Sequence, residues 1–383
     1  MDAQFSVRKS LKYPKLMIPG PVDVQDSIIA AMANPVLPHY GTDWTALYTE
    51  TTKVLKSIFH TDRDVFLLVG SGMCGLDAAI NSLFAPGEKV LIINNGFFGE
   101  RLIELARAHN LKIVEAVAEW GKAVDPLEVE RILAEESAIA GMITVHHETS
   151  TGILNPIQEL GSLASRAGIP LVVDAVSSLG GEELKMDEWG IDICVTASNK
   201  SLESVPGVSP VAVGRNAWKF MEGKQNEAPG WYLNLRLWKH YLEDWGNWHP
   251  TPVTMATPAV MALNAALEEL VKEGLENRIL RYRETARYFR QAIRDLGFQM
   301  FVDGPQSSSC ISSICSLPNM DVPTLISFLL EEKNIQIAGG LGKTKGKIFR
   351  VGHMGKASSG DYVASLLDAI KEFGEKNCTK YLK

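Results

Sequence analysis

Seven times between about residues 62 and 214 the chain places a short, nearly all-apolar run before a turn or an amphipathic stretch. FLLVG (66–70) leads to MCGLDAAINSLF, VLIIN (90–94) to ERLIELARAHN, and KIVEAVA (112–118) to DPLEVERILAEE; GMITV (141–145), LVVDAV (171–176), ICVTAS (193–198) and VSPVAVG (208–214) complete the series. A strand that is apolar at successive positions is covered on both faces, and helices between strands make the connections parallel. The expectation is an α/β fold whose large domain holds a mostly parallel seven-stranded sheet, with ligands beyond the C-terminal ends of its strands.

The pattern changes after the aromatic segment WYLNLRLWKHYLEDWGNWHPTP (231–252). Two long helical periods follow, each closed by a glycine suited to a C-cap, and then a shorter alternation of strands and helices. The expected division is an N-terminal segment at 1–15, a large domain at 16–252 and a smaller C-terminal α+β domain at 253–383. A chain of 383 residues, 46% of them hydrophobic, is long enough for two such cores. Its net charge of −7 and the lack of a long basic run exclude the electrostatic footprint of a nucleic-acid binder. No apolar leader opens the chain and no stretch approaches the roughly 20 apolar residues of a membrane span, so no membrane partner is expected and the expected address is cytoplasmic. Cys74, Cys194, Cys310, Cys315 and Cys378 are scattered without CxxC spacing, which reads as reduced, mostly buried thiols and neither a disulfide framework nor a metal site.

Gly70-Ser71-Gly72-Met73-Cys74-Gly75 matches GxGxxG between a strand and a helix, the context of dinucleotide binding. The acidic residue that should hold a ribose at the end of the next strand is Asn94-Asn95 instead, so the nicotinamide reading loses its second support. What remains is a phosphate site built from free N–H groups at a helix N-terminus, with the Ser71 hydroxyl as an added donor, or simply a tight turn that needs glycine.

Other polar residues stand at strand ends. Asp174 closes LVVD, where a half-buried carboxylate needs a partner, and Lys200 follows the next run in the small-residue loop TASNKSLESVPG. Lysines usually keep their ammonium hydrated on a helix face; in a cleft the amine has a lowered pKa and serves as a nucleophile. Glu148-Thr149-Ser150-Thr151-Gly152 adds hydroxyls, which otherwise cap a helix, and Phe97 and Phe98 offer an aromatic surface, which otherwise packs in the core. A phosphate cradle, an amine, a carboxylate and a flat ring at one crevice are what pyridoxal 5'-phosphate requires.

The chain resembles the class V aminotransferases of fold type I, the alanine/serine–glyoxylate group. The resemblance rests on seven colinear segments: PGPVDV (19–24), SGMCGLDAA (71–79), NGFFGER (95–101), HHETSTGILNPI (146–157), VDAVSSLGG (173–181), SNKSLESVPG (198–207) and GGLGKTKGKIFRVG (339–352). It implies that Lys200 is the Schiff-base lysine and proton shuttle, and that Asp174 pairs with the pyridine nitrogen. It implies that Phe98 stacks on the cofactor where tryptophan is common, that Val176 packs on the other face, and that Thr149 lies near the phenolic oxygen. Ser71, Gly72, Met73 and Asn199 match the phosphate site, and Arg350 matches the arginine that grips the substrate carboxylate. The resemblance also implies a homodimer in which a partner's Y-H-x-T segment completes the site. Here that segment reads Trp248-His249-Pro250-Thr251, which keeps Thr251 and replaces the tyrosine.

His147 stands where the family usually has glycine, as in the similar pyridoxamine–pyruvate aminotransferases, and the loop PHYGTDW (38–44) departs from the better-known enzymes. The expected activity is a ping-pong transamination from a small amino acid or amine, alanine- or serine-like, to a 2-oxo acid such as glyoxylate or pyruvate, with His147 and Arg350 on the substrate side. Pyridoxamine, ureidoglycine, aminoethylphosphonate or a sulfonate amine is the alternative donor. A lyase of the cysteine desulfurase type shares the fold, but such enzymes place histidine, not Asn199, before the lysine and carry a cysteine in a mobile loop.

Overall fold

The computed structural model of the chain describes residues 13–223 and 228–377. A two-residue strand, β1 (Lys15–Leu16), comes first, and the apolar runs then become β2 (Asp64–Gly70), β3 (Lys89–Asn94), β4 (Lys112–Val117) and β5 (Ile139–Val145). A short hairpin, β6 (His147–Glu148) and β7 (Ile153–Leu154), precedes β8 (Leu171–Asp174), β9 (Ile193–Val195) and β10 (Gly207–Val213). The seven long runs form one sheet in the order β2-β10-β9-β8-β5-β3-β4. All are mutually parallel except β10, which is antiparallel to both neighbours. The loop between β9 and β10 contains no helix, and without a crossover element a strand returns antiparallel. Every residue of β8 and β9 is buried, as strands covered on both faces must be.

A second, three-stranded antiparallel sheet is built from β11 (Ile311–Cys315), β13 (Ala338–Gly339) and β14 (Ile348–Gly352), with β14 in the middle. Beside it, β12 (Ile335–Gln336) pairs in parallel with β1. Phe289 and Ile293 of the helix Leu275–Asp295, Leu325 and Leu329 of Val322–Lys333, and Leu366 and Ile370 of Gly360–Asn377 form its core together with Phe349, Val351 and Met17.

The expected boundary at 252/253 lies just before a helix that packs in the first core. The helix Thr257–Glu273 sends Val260, Leu263, Leu267 and Leu270 into the first core, packed against the helices Asp26–Met32 and Thr42–Phe59, whereas Met17 belongs to the second. Gly274, with a φ of +85°, turns the chain from this helix into Leu275–Asp295, which sends Phe289 and Ile293 into the second core. Helical periodicity announces an apolar face; it does not say which core will cover that face. Cys194 and Cys310 are buried, Cys74 and Cys315 are partly so, and all four are unpaired; Cys378 and most of the expected N-terminal segment lie outside the described residues. No helix among the described residues is long and apolar enough to cross a membrane.

Candidate active site

Because β10 is the only reversed strand, the other six point their C-terminal ends to one edge of the sheet. Register places Val145, Asp174 and Val195 level with one another there, so the residues that follow them share one crevice. Asp174 is buried, and its Oδ1 accepts the Val176 N–H at 2.9 Å. Burial pushes its carboxyl up to about 7; the Val176 bond and Lys200 oppose the rise, and the charge of Glu148 adds to it.

Lys200 stands in the turn after β9 and donates from Nζ to the carbonyl of Pro19 at 2.8 Å. Its amine is lowered to about 8, by burial first and then by the guanidinium of Arg350, with Asp174 opposing both. Gly20 packs on this side chain: a Cβ there would lie 2.3 Å from Nζ, and its φ of +133° is open to glycine alone. Arg350, on β14, donates from Nε to Gly339 O and from Nη1 to Thr149 O, both at 2.9 Å. Burial brings even this guanidinium down to about 10, with Glu148 opposing.

Glu148 is fully buried and was not marked by sequence reasoning as more than a neighbour of Thr149. Its carboxylate accepts the N–H groups of Phe98, Gly99 and Ser150, each at 3.0 Å, and the Ser150 hydroxyl at 2.6 Å. It thereby caps the helix Phe97–Ala108, which has no side-chain cap of its own, and sets the half-buried Phe98 at the crevice. The signal for it was Gly96, where a Cβ would fall 2.3 Å from the Glu148 Cδ.

His147 is buried, with Nδ1 3.4 Å from Ser177 O and 3.3 Å from Ser308 Oγ, and its Nε2 has no partner. A carbonyl only accepts, so the proton is assigned to Nδ1 and Nε2 keeps a lone pair. Burial drops the imidazole to about 3, which leaves it neutral in this setting.

On the phosphate side, Ser71 is the exposed N-cap of the helix Gly72–Leu83, and its hydroxyl makes no capping bond. Gly72 is buried against Val176, where a Cβ would lie 2.4 Å from Cγ2, and Met73 and Asn199 are half-buried. The Asn199 carbonyl accepts the Val22 N–H at 3.2 Å. Thr251 stands apart: it is fully buried, and its hydroxyl donates to Val253 O at 3.2 Å. Trp248 beside it is 48% exposed and packs on Tyr40 with ring centroids 5.7 Å apart.

The family model for aminotransferase class V matches residues 25–358. The chain belongs to that family. This class V aminotransferase is 36% identical to an uncharacterized aminotransferase of Methanocaldococcus jannaschii, over 94% of this chain and 93% of the relative. Its fold matches the crystal structure of an alanine–glyoxylate aminotransferase from Nostoc with a TM-score of 0.91 and 29% identity, covering 95% and 96% of the two chains. It matches a pyridoxamine–pyruvate aminotransferase from Mesorhizobium loti with a TM-score of 0.86 and 26% identity, covering 97% of each.

The class V aminotransferase is therefore a pyridoxal-phosphate-dependent enzyme of fold type I. The residues present fit that cofactor: the unspent Ser71 hydroxyl lies at a helix N-terminus, Gly72 leaves a cradle that a methyl would fill, and the half-buried Lys200 amine and the buried Asp174 carboxylate interact at the strand ends. When bound, the cofactor supplies an aldehyde for amine exchange and a conjugated ring that withdraws electrons from the substrate's α-carbon. Gly72→Ala is expected to weaken cofactor binding by about 1–3 kcal/mol through overpacking against Val176. Fluorescence titration of the apoprotein with the cofactor measures it, and unchanged affinity would remove Gly72 from the cradle.

Proposed function

We propose that Lys200 holds the cofactor and carries the proton at the substrate carbon, and that the substrates are a small amino donor and a 2-oxo acid such as glyoxylate or pyruvate. The observation that carries this reading is an amine lowered to about 8 by burial, facing Asp174 and Arg350 at the strand ends. Asp174 then pairs with the ring nitrogen and keeps it protonated, and Ser71, Gly72, Met73 and Asn199 bind the phosphate. Phe98 and Val176 take the two ring faces, and Thr149 takes the phenolic oxygen. Arg350 is braced by two backbone carbonyls, Gly339 and Thr149, which leaves the rest of its fork for a carboxylate. The names of the Nostoc and Mesorhizobium enzymes, one for alanine and glyoxylate and the other for pyridoxamine and pyruvate, support this pairing of small amines with small oxo acids.

A specialised donor is the second reading. A buried, neutral His147 with a free Nε2 lone pair supports a donor with a group to bind there, as a bare alanine has not. A desulfurase is disfavoured, since Asn199 precedes Lys200 and burial raises the Cys74 thiol to about 11 and pushes Cys315 up as well, away from the thiolate such chemistry needs. Tyr40, Trp231, Trp245 and Trp248 are all about half exposed near Thr251, which supports a homodimer whose partner brings this segment to the site.

The test is a donor panel of alanine, serine, pyridoxamine, ureidoglycine, aminoethylphosphonate and a sulfonate amine, read as loss of the cofactor's visible band in single turnover. Sulfide release from cysteine, with no amino transfer from any donor, would overturn the reading. Arg350→Met is expected to raise KM for the oxo acid about 10- to 100-fold, the loss of a charge-assisted bond of roughly 1.5–3 kcal/mol. Steady-state kinetics with glyoxylate and pyruvate check it.

A further inference from the structure

Glu203 follows Lys200 by three residues and is joined to it: its N–H donates to the Lys200 carbonyl at 2.8 Å. Its φ of +56° lies in the left-handed region, which is unfavourable for an L residue and which glycine enters freely. A turn that needed this backbone alone would be served by glycine. Here it holds a glutamate that is 8% exposed.

The carboxylate accounts for that choice. Its Oε1 accepts the Tyr282 hydroxyl, Arg281 Nη2 at 3.0 Å and the Gly355 N–H at 3.1 Å, while Oε2 lies 3.7 Å from Arg278 Nη2. Arg278 and Arg281 are held in turn by Glu273, at 2.8 and 2.6 Å, so two acids and two arginines balance. Arg278 is 2% exposed and its Nη1 has no partner. Ion networks such as this, with two members buried and two partly exposed, contribute little net stability, because desolvation and solvent screening offset attraction, so stability alone does not explain this one. The donors to Glu203 come from the helix Leu275–Asp295 and from the loop after β14, and so from the body of the second core. That same body holds Pro19, whose carbonyl receives the lysine amine, through the Gly352 N–H bonded to Met17 O at 2.9 Å.

We propose that Glu203 is a positioning residue for Lys200: its clamped carboxylate forces the left-handed turn that fixes the lysine's main chain, and so ties the aim of the amine to the docking of the two cores. This rests on Lys200 as the residue that bonds the cofactor. In the full-length holoenzyme, Glu203→Gly relieves the backbone and removes the clamp, so the two roles predict opposite results. With the best donor of the panel, kcat is expected to fall about 10- to 100-fold, as displacement of a reacting group by about an ångström does. The midpoint of the pH titration of the cofactor's visible band is expected to move by about half a unit or more. Values of kcat and the titration midpoint that match the wild type overturn the proposal, whatever the melting temperature does. Should Glu203→Gly not fold, Tyr282→Phe removes one clamp donor and leaves the residue at the left-handed position unchanged; the same fall in kcat and shift of the midpoint support the proposal, and wild-type behaviour overturns it. Borohydride trapping of wild-type holoenzyme separates the causes. A missing Lys200 adduct sinks the reading of Lys200 and this inference together, and an adduct with indifferent variants sinks the inference alone.

Discussion

Lys200→Ala is expected to lose amino transfer by at least about 10²- to 10⁴-fold, the range for removing a positioned proton carrier alone, and to leave no cofactor–lysine bond for borohydride to trap. The wild-type amine adds a pH signature. Its pKa is lowered from 10.5 to about 8, and only the neutral amine attacks an aldehyde. The rate of cofactor uptake by the apoprotein should therefore rise about tenfold per pH unit below 8 and level off above it, as the protonated fraction disappears. A stopped-flow profile still climbing towards 10.5 would mean that burial does not set this amine, and undiminished turnover by the variant would remove Lys200 from the chemistry.

Asp174→Asn is expected to act in opposite directions on stability and activity. Burial raises the carboxyl from 3.8 to about 7, so holding it ionised there costs roughly 4 kcal/mol at about 1.36 kcal/mol per pKa unit. The sign follows: the folded state binds the proton more tightly than the unfolded one, so this group's contribution to stability declines as pH rises from about 4 through 7. The apoprotein carrying asparagine should melt above wild type at pH 8.5, by a margin that shrinks at pH 5. Activity should fall by about 10²- to 10³-fold, since on the proposed reading this buried charge pairs with the cofactor's ring nitrogen. A margin independent of pH would mean that the carboxylate is not buried as described.

The placing of Asp174 and Lys200 at strand ends was legible because each comes at or after an apolar run, and strand ends of a parallel sheet are where such residues meet. The seven runs themselves were legible for the same reason, since continuous burial leaves a continuous apolar string. The reversal of β10 left no mark in its own residues, and the short β9–β10 loop was the only hint. The apolar face of Thr257–Glu273 was plain, but its assignment to the first core depends on the helices Asp26–Met32 and Thr42–Phe59, more than two hundred residues upstream. Glu148, Pro19 and Glu203 were hidden for a related reason. Each acts through hydrogen bonds to groups distant in the chain, and such bonds have no period. Gly96 and Gly20 were the visible shadows of two of them, glycines held at close approach to a side chain.

The pairing of β1 with β12 sets an order on the making of this protein. Residues emerge from synthesis N-terminal first, so Lys15–Leu16 waits for Ile335–Gln336 while most of the chain is produced. Lys200, Asp174 and Gly72 are all in place long before that edge closes, and Arg350 arrives later still. Until then the Pro19 segment is tied beside the lysine amine by the Val22 N–H bond to the Asn199 carbonyl, without the edge that braces it from the other side. A product truncated before β12 therefore keeps both the lysine and the Pro19 carbonyl but lacks the edge that braces that carbonyl, and it lacks Arg350 as well.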